Sequence, residues 1–499
     1  MKRKLLLAFA FALAATASMA QTLRNGLAED PDVLDPSLAR TFVGRIVFAS
    51  LCDKLVDIDA KLNIVPQVAT SWQWSADNKQ LTMKLRPGVT FHDGEKFDAA
   101  AVKFNIERHK TIAGSNRRGE LLPVTSVDVV DPMTVRFNLS APFSPLLTVL
   151  ADRAGMMVSP KAARDNPNFG SHPVCSGPFK FVERIAQDKI TLERYPNYWN
   201  KGAIHFDKII YQPIVDATVR LANLRSGQLD MIERVAPSDV AGIKREGKLG
   251  TAKITELGYQ GITINTGKSD EAKKNPLGRD PRVREAFELS LDRNGIVQVA
   301  MDGEADPGNQ WVAPSNPFYA KNVPIPKRDV ARARQLLKEA GVPNPSFTLM
   351  TATTSDAQRI AQVVQAMAKE AGFDVKIQST EFATSLNLAD KGQFDAYVLA
   401  WSGRADPDGN LFSFYGCKQP LNYSGECRAN WDELLNRSRS TLDPKERIKI
   451  FATMAAEFLK ERPIIYLFHR HWLYAYNKKL TGFHAVPDGL IRVQGLKMQ

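Results

Sequence analysis

Apolar and polar residues alternate along several short segments in the first third of the chain. The alternation over residues 81–85, between turn residues on either side, predicts a half-buried strand. Residues 127–130 and 135–139 repeat the pattern around the turn at 131–132, which predicts a hairpin. Asp98 precedes a run of small and apolar residues and is expected to cap a helix. This third of the chain is therefore predicted to consist mainly of strands joined by turns.

The spacing of apolar residues becomes helical in the second half of the chain. Apolar residues recur every three or four positions over residues 329–341 and again over 356–372, which predicts two helices with one buried face each. Residues 373–377 alternate as a strand, and 463–468 form a short apolar run typical of a buried strand. Such alternation of helices and strands predicts an α/β domain with an open sheet.

The beginning of the chain has the composition of a secretory signal peptide. A basic start at residues 2–4 is followed by an apolar run over 5–15 and a small-residue pattern at 18–20. We expect cleavage after Ala20 and a soluble, periplasmic mature protein. A membrane anchor is the alternative, but the run is shorter than the ~20 apolar residues that span a bilayer. Gln21 rather than cysteine follows the cleavage site, which disfavours a lipid anchor.

Length and composition indicate a globular protein with more than one domain. At 499 residues the chain exceeds the ~250–300 residues at which a single core stops growing. Hydrophobic residues make up 44% of the chain, enough for packed cores. The net charge is +12, but the basic residues are scattered among acidic ones, without the basic runs of nucleic-acid-binding proteins. We therefore expect no nucleic-acid partner.

The sequence contains no motif that indicates catalysis or a cofactor. It lacks a zinc-binding His-Glu-x-x-His, a Gly-x-Ser-x-Gly elbow and a Cys-x-x-Cys pair. Residues 261–269 end like a phosphate-binding loop, but five residues instead of four separate its glycines, and 262–265 alternate as a strand. For His469 and His471, on one side of a predicted strand, packing competes with a metal pair. We expect a binding protein without enzymatic activity, cofactor or metal.

Four closely spaced motifs lie between residues 66 and 100. They are Pro66-Gln67-Val68-Ala69-Thr70-Ser71-Trp72, Leu85-Arg86-Pro87-Gly88-Val89, Phe91-His92-Asp93-Gly94 and Phe97-Asp98-Ala99-Ala100. In this order and spacing they resemble the family-5 extracellular solute-binding proteins, the dipeptide, oligopeptide and nickel receptors of ABC importers. Gly-Pro-Phe at 177–179 and Tyr-Trp at 198–199 also match the family, although Cys175 and Ser176 replace the Gly and Thr that usually precede them. The resemblance covers nearly the whole mature chain.

The resemblance implies an α/β fold like that of class II periplasmic binding proteins, with two lobes, a hinge and a subdomain inserted in the first lobe. On this basis lobe I comprises residues 21–58, 178–262 and 476–499. The inserted subdomain comprises residues 59–177, and lobe II residues 263–475. The whole is expected to be a monomer.

The resemblance also implies a function. The chain is expected to bind a small solute, with a short peptide favoured, between its lobes and to deliver it to the inner-membrane permease of an ABC importer. Glutathione, opines, sugars and metal complexes stay open as ligands, because similar folds accept them. Two alternatives are a secreted peptide or ester hydrolase and a ligand-binding chaperone or sensor module.

Residues 395–410 are the best candidate for ligand contact. An apolar strand ends there in Trp401, and a turn rich in Gly, Asp and Pro follows, at the strand end where open α/β sheets bind ligands. In the dipeptide receptors this Asp-Pro segment supplies a carboxylate to the peptide α-ammonium, so the resemblance implies Asp406 for that role. Turn formation alone is the alternative. The guanidinium fork of Arg404 suits a ligand carboxylate. The full set of candidates is Trp401, Gly403, Arg404, Asp406 and Asp408.

The four cysteines are Cys52, Cys175, Cys417 and Cys427. Members of the family often carry a loop disulfide, which implies a bond between Cys417 and Cys427 around a turn-rich segment. Cys52 and Cys175 are then left as a second possible pair in an oxidising compartment. Buried free thiols are the alternative for both pairs.

Overall fold

The computed structural model describes residues 21–499. The predicted signal peptide with its cleavage pattern, residues 1–20, lies outside the described residues. The helices are α1 (Phe42–Leu51), α2 (Ala99–Thr111), α3 (Leu146–Leu150), α4 (Pro160–Asp165), α5 (Ala217–Arg225), α6 (Val240–Arg245), α7 (Pro276–Arg279), α8 (Pro281–Leu289), α9 (Arg293–Met301), α10 (Val330–Glu339), α11 (Ser355–Glu370), α12 (Phe382–Asp390), α13 (Asp408–Tyr415), α14 (Ala429–Ser440) and α15 (Pro444–Glu461).

The strands form one large mixed sheet and three smaller sheets. They are β1 (Thr22–Leu27), β2 (Val56–Ile58), β3 (Ile64–Pro66), β4 (Ala69–Trp74), β5 (Gln80–Leu85), β6 (Val124–Asp131), β7 (Thr134–Leu139), β8 (Phe179–Ile185), β9 (Lys189–Arg194), β10 (Lys208–Pro213), β11 (Met231–Ile232), β12 (Leu249–Thr255), β13 (Tyr259–Ile264), β14 (Ala305–Pro307), β15 (Ser346–Ala352), β16 (Asp374–Thr380), β17 (Ala396–Trp401), β18 (Ile464–Asn477), β19 (Leu480–Thr481) and β20 (Lys497–Met498).

The long strand β18 lies at the centre of the large sheet, whose order is β16-β15-β17-β13-β18-β11-β1-β10-β9-β8. Its residues 464–468 pair with β13, and its residues 471–477 pair with β12. We call β1 and β8–β12 half-sheet I, and β13–β17 half-sheet II. The chain passes between the two halves at residues 255–259 and 468–471, which we call the crossing strands.

Separate hydrophobic cores support the two half-sheets. One core joins β1, α1 and C-terminal residues such as Ile491 and Val493, all fully or almost fully buried. Another joins β13, β15 and the helices α8, α10 and α11. The C-terminal segment therefore packs beside the N-terminal strand. The lobe boundaries implied by the resemblance stay a prediction.

The segment before β8 contains its own antiparallel sheet, in the order β4-β5-β7-β6. Leu81, Met83 and Leu85 of β5 are buried, as their alternation predicted. The predicted hairpin is confirmed as β6 and β7. Asp98 caps α2, because its carboxylate accepts a hydrogen bond from the amide of Ala101. Local patterning was therefore sufficient to predict these three features.

The helices and strands predicted in the second half are also confirmed, with one difference in length. Asp329 caps α10 by accepting from the amide of Arg332, and α11 and β16 follow as expected. The predicted strand at 463–468 is longer, because β18 continues to Asn477. The polar residues 469–471 continue this strand, and they hydrogen-bond to the crossing strand at 255–259 and to Glu304, which precedes β14.

The structure contains two disulfide bonds. Cys417–Cys427 closes the loop between α13 and α14, and Cys52–Cys175 joins the end of α1 to the segment before β8. Cys417 and Cys427 are 10 positions apart in the sequence, whereas Cys52 and Cys175 are 123 positions apart.

The two histidines considered as a metal pair have different surroundings. His469 is buried and donates from Nδ1 to the carbonyl oxygen of Gly258, 2.6 Å away. Nδ1 of His471 lies 3.0 Å from Glu304. Residues 21–499 contain no group of three potential metal ligands. No helix in the same range is long and apolar enough to cross a membrane.

Candidate ligand-binding site

A cavity of about 690 Å³, counting its open mouth, lies beside the crossing strands. We call it the cleft cavity, because α1 and residues near half-sheet I form one wall and β17 and α11 of half-sheet II form the other. Its lining includes Glu29, Arg40, Phe42, Arg234, Glu256, Gln260, Thr354, Asp356, Phe382, Trp401, Ser402, Arg470 and Trp472.

A pair of stacked aromatic rings forms one apolar surface of the cleft cavity. Phe42, the first residue of α1, stacks on Trp472 of β18 with ring centroids 4.3 Å apart and planes 9° apart. The guanidinium of Arg234 lies 5.4 Å from the Phe42 ring centroid. Gly489 has a φ of +74°, and a Cβ at this position would lie 2.6 Å from the Trp472 ring. The absence of a side chain at this glycine allows the two rings to pack.

Two of the carboxylates in the cleft cavity carry opposite pKa shifts. Asp356 lies in the first turn of α11, 3.3 Å from Arg470. Burial raises its pKa, but the charges of Arg470 and Arg234 outweigh burial and lower the pKa to about 2. Glu256 accepts a hydrogen bond from the amide of Arg470, yet burial raises its pKa to about 7 in spite of that positive charge.

A third carboxylate, that of Glu29, is paired through one oxygen only. Its Oε1 accepts from Nη1 of Arg234 at 2.5 Å. No donor in the described part of the chain reaches its buried Oε2. The cleft cavity therefore presents acidic and basic groups together, with acceptor capacity left on Glu29.

An ion pair connects the two walls at the edge of the cleft cavity. Nη1 of Arg40, in the segment before α1, lies 2.5 Å from Asp390 at the end of α12. Nη2 of the same side chain donates to Asn387 at 3.2 Å. Contacts of this kind stabilise the arrangement in which the two walls lie close together.

A second cavity lies on the other side of Trp401, between the turn at 402–409 and the segment 120–152. Counting the open space at its mouth, its volume is about 480 Å³. Trp401 lines both cavities, so it separates them. We call the second one the turn cavity. Its lining includes Glu120, Thr148, Asp152, Trp401, Arg404, Asp406, Asp408, Phe412 and Arg439.

Three of the candidates from the sequence lie at the boundary between the cavities. Trp401 ends β17 and donates from Nε1 to Asn410 at 2.9 Å. Gly403 has a φ of +78° and bridges to Leu257, where a Cβ would lie 2.2 Å from the backbone. Arg404 is buried, with its guanidinium 4.5 Å from the Trp401 ring centroid and Nε 2.8 Å from Asp152.

The two acidic candidates are engaged by arginines. Both oxygens of Asp406 accept from Arg447, each at 2.8 Å. Asp408 lies 3.1 Å from Arg439, and burial raises its pKa to about 6 against that charge. Ligand contact by Asp406 and Asp408 stays a prediction, and their carboxylates have partners within the chain.

Sequence reasoning missed most of the cleft cavity. Glu29, Phe42, Glu256 and Arg470 belong to four segments that are far apart in the sequence. Asp356 was recognised only as the start of a helix. None of these residues lies in a motif, so no local signal in the sequence identified them.

The architecture agrees with comparisons to known proteins. A family model described as bacterial extracellular solute-binding proteins, family 5 middle, matches residues 63–422. The glutathione-binding protein GsiB of Pectobacterium atrosepticum is 29% identical over 473 residues, covering 92% of this chain and 90% of that protein. GsiB of Salmonella paratyphi A is also 29% identical, with 91% and 90% covered.

Solved structures are similar over almost the whole chain. AgaA from A. tumefaciens R10, in complex with agropinic acid, is 28% identical with a TM-score of 0.87, covering 96% of this chain and 99% of that one. The periplasmic binding protein DppA from Helicobacter pylori, in complex with the peptide STSA, is 24% identical with a TM-score of 0.87, covering 96% and 98%. The predicted fold, α/β and like that of class II periplasmic binding proteins, is confirmed. The chain belongs to the bacterial extracellular solute-binding proteins of family 5.

Proposed function

We propose that this chain is the receptor of an ABC importer and binds a small, peptide-like zwitterion in the cleft cavity. The observation that carries the proposal is the position of that cavity, which has walls from both half-sheets and lies beside the two crossing strands. A solute that contacts both walls stabilises the arrangement in which they are close. The permease then receives this closed form.

The charges in the cleft cavity support a zwitterionic ligand. Glu29 and Asp356 are available to a ligand ammonium, and Arg234 and Arg470 to a ligand carboxylate. Charge-assisted hydrogen bonds of this kind are short and strong in a partly buried site. The Phe42–Trp472 stack offers an apolar surface for the rest of the solute.

The named ligands of the relatives support the same class. GsiB is named for glutathione, and the structures of DppA and AgaA contain a peptide and agropinic acid. We propose a short peptide or a peptide derivative as the solute. The relatives are binding proteins, and we propose that this chain likewise releases its ligand chemically unchanged.

The expected location follows from the leader and the family. We propose that residues 1–20 direct export and are removed after Ala20, so that the mature chain works in the periplasm as a monomer. Mass spectrometry of the exported protein tests the cleavage, and a first residue other than Gln21 would contradict it.

Ligand screening tests the function itself. The mature protein is heated with dipeptides, tripeptides, glutathione and opines, and a ligand that binds the native state raises its melting temperature. X-ray scattering is then expected to show a smaller radius of gyration with that ligand than without it. No shift with any solute, or an unchanged shape with a tight ligand, would contradict the proposal. Recovery of the ligand by chromatography separates binding from hydrolysis.

A further inference from the structure

Positively charged side chains outnumber negatively charged ones around the turn cavity. The guanidinium groups of Arg404 and Arg439 line it, and those of Arg45, Arg117, Arg153 and Arg447 pair with carboxylates of its lining. Four carboxylates, those of Glu120, Asp152, Asp406 and Asp408, are interspersed with them.

The imbalance is concentrated at one carboxylate. Asp406 pairs with Arg447, and Asp408 with Arg439, one to one. Asp152 by contrast is shared by three guanidiniums, with closest distances of 2.6 Å to Arg45, 2.8 Å to Arg404 and 3.8 Å to Arg153.

Asp152 and the three arginines that share it are almost completely buried, at 9% exposure or less. Buried charges in proteins are paired with opposite charges or bound to ligands, because an unpaired charge in the interior is strongly unfavourable. The surplus of positive charge near Asp152 therefore fits an anion. Burial lowers the pKa of Arg404 to about 10, and repulsion by Arg45 and Arg117 adds to this effect, although Asp152 and Glu120 oppose it. Arg404 is thus still positive at neutral pH.

Arg404 has hydrogen-bonding capacity to spare. Its Nε is directed to Asp152 and its Nη1 donates to the carbonyl of Gly403. No acceptor in residues 21–499 reaches its buried Nη2. The residue lines the turn cavity, and its flat guanidinium is kept in position by the Trp401 ring.

We propose that the turn cavity binds a carboxylate of the transported solute, with Arg404 as the principal donor. The inference rests on the proposed function and adds to it, because the solute must then carry one more anionic group than the zwitterion. The zwitterionic part of such a solute lies in the cleft cavity. Its additional carboxylate lies in the turn cavity, and the segment between the two contacts Trp401.

Matched acids and amides test the proposal. Binding of the tripeptides Ala-Ala-Glu and Ala-Ala-Asp is compared with binding of Ala-Ala-Gln and Ala-Ala-Asn, which keep the zwitterion and lack only the additional carboxylate, by thermal denaturation and calorimetry at constant ionic strength. We expect the native protein to prefer each acid by roughly 10- to 100-fold, the range of a charge-assisted hydrogen bond. Arg404→Gln should abolish the preference and Arg404→Lys should retain part of it. Arg332→Gln, which removes an exposed arginine on α10, should leave it unchanged.

The outcomes separate this inference from the proposed function. Equal binding of acid and amide, or a preference that Arg404→Gln retains, overturns the carboxylate site, while lobe closure by either ligand leaves the receptor function standing. Stabilisation by chloride or phosphate but by no carboxylate would assign the cavity to an inorganic anion and overturns the proposal as well. Absence of binding by every acid also overturns it. Circular dichroism of both variants at position 404 shows whether they are folded, and a crystal soaked in selenate should show anomalous density beside Nη2 of Arg404.

Discussion

Arg40 and Asp390 form an ion pair across the edge of the cleft cavity, with 2.5 Å between Nη1 and Oδ2. Arg40 precedes α1, which packs on half-sheet I. Asp390 ends α12, which packs beside half-sheet II. Such a pair stabilises the closed arrangement whether or not a solute is present. It thereby affects how much of the ligand's binding free energy is used for closure.

Removing this pair should weaken ligand binding slightly. Asp390 is 41% exposed, so we expect a loss of about 0.2–1 kcal/mol, or a roughly 1.4- to 5-fold higher Kd, in Arg40→Ala, Asp390→Ala and their combination. Calorimetry of the double-mutant cycle measures it, and X-ray scattering should show a more open unliganded protein. The exposed Arg332–Glu339 pair within α10 provides a matched control. Affinity unchanged in all three variants would show that the pair does not contribute to closure.

Asp356 and Asp406 can be distinguished by substitution. Asp356→Asn should weaken binding of ligands that carry an ammonium and should destabilise the unliganded protein by at most about 2 kcal/mol, because Arg470 and Arg234 stabilise the charged form of Asp356. Asp406→Asn should instead destabilise the protein by about 3–5 kcal/mol, because it leaves the buried Arg447 without a charged partner.

Unfolding in urea and ligand titration measure the two effects separately. Asp406→Asn combined with Arg447→Met should recover part of the lost stability, since neither charge is then buried alone. If Asp406→Asn is as stable as the native protein but no longer binds ammonium ligands, the ammonium site lies at Asp406 and the assignment to the cleft carboxylates is wrong.

The buried Glu256 should make stability depend on pH. Its pKa is raised by burial to about 7, whereas in the unfolded chain it ionises near pH ~4.3. Between these values the folded protein binds the proton and the unfolded chain does not, so this group's contribution to stability falls as the pH rises towards 7. The loss is roughly 3 kcal/mol.

Glu256→Gln should remove this dependence. The variant should match the native protein near pH 4.5 and be more stable by roughly 3 kcal/mol at pH 8. Urea denaturation at both pH values measures the difference, with the exposed Glu339→Gln as control. Parallel stability profiles for the native protein and Glu256→Gln would rule out a raised pKa at this position.

The two disulfides should contribute unequally to stability. Cross-linking constrains the unfolded chain more when the enclosed loop is longer, and the loops span 123 and 10 residues. We expect a loss of about 5 kcal/mol for Cys52→Ser with Cys175→Ser, and about 3 kcal/mol for Cys417→Ser with Cys427→Ser. Denaturation of the two double variants tests the order, and a larger loss at the shorter loop would contradict it.

The sequence by itself determined the local structure and the family. The alternation at 81–85, the caps at Asp98 and Asp329 and the helix over 356–372 depend on interactions within a few residues, so their pattern could be recognised directly. The motifs over 66–105 are equally local, and they were sufficient for the family and the fold.

The composition of the proposed binding site depends on the tertiary structure. Trp401 was predicted as a ligand contact because it ends a strand, but Phe42 and Trp472 meet across 430 positions of sequence, and only the passage of β18 through both half-sheets brings them into contact. In the same way the partner of Asp406 is Arg447, on a helix that no motif connects with the turn. Charge pairing and ring stacking depend on the distance between side chains in space. The local sequence pattern carries no information about that distance for residues that are far apart along the chain.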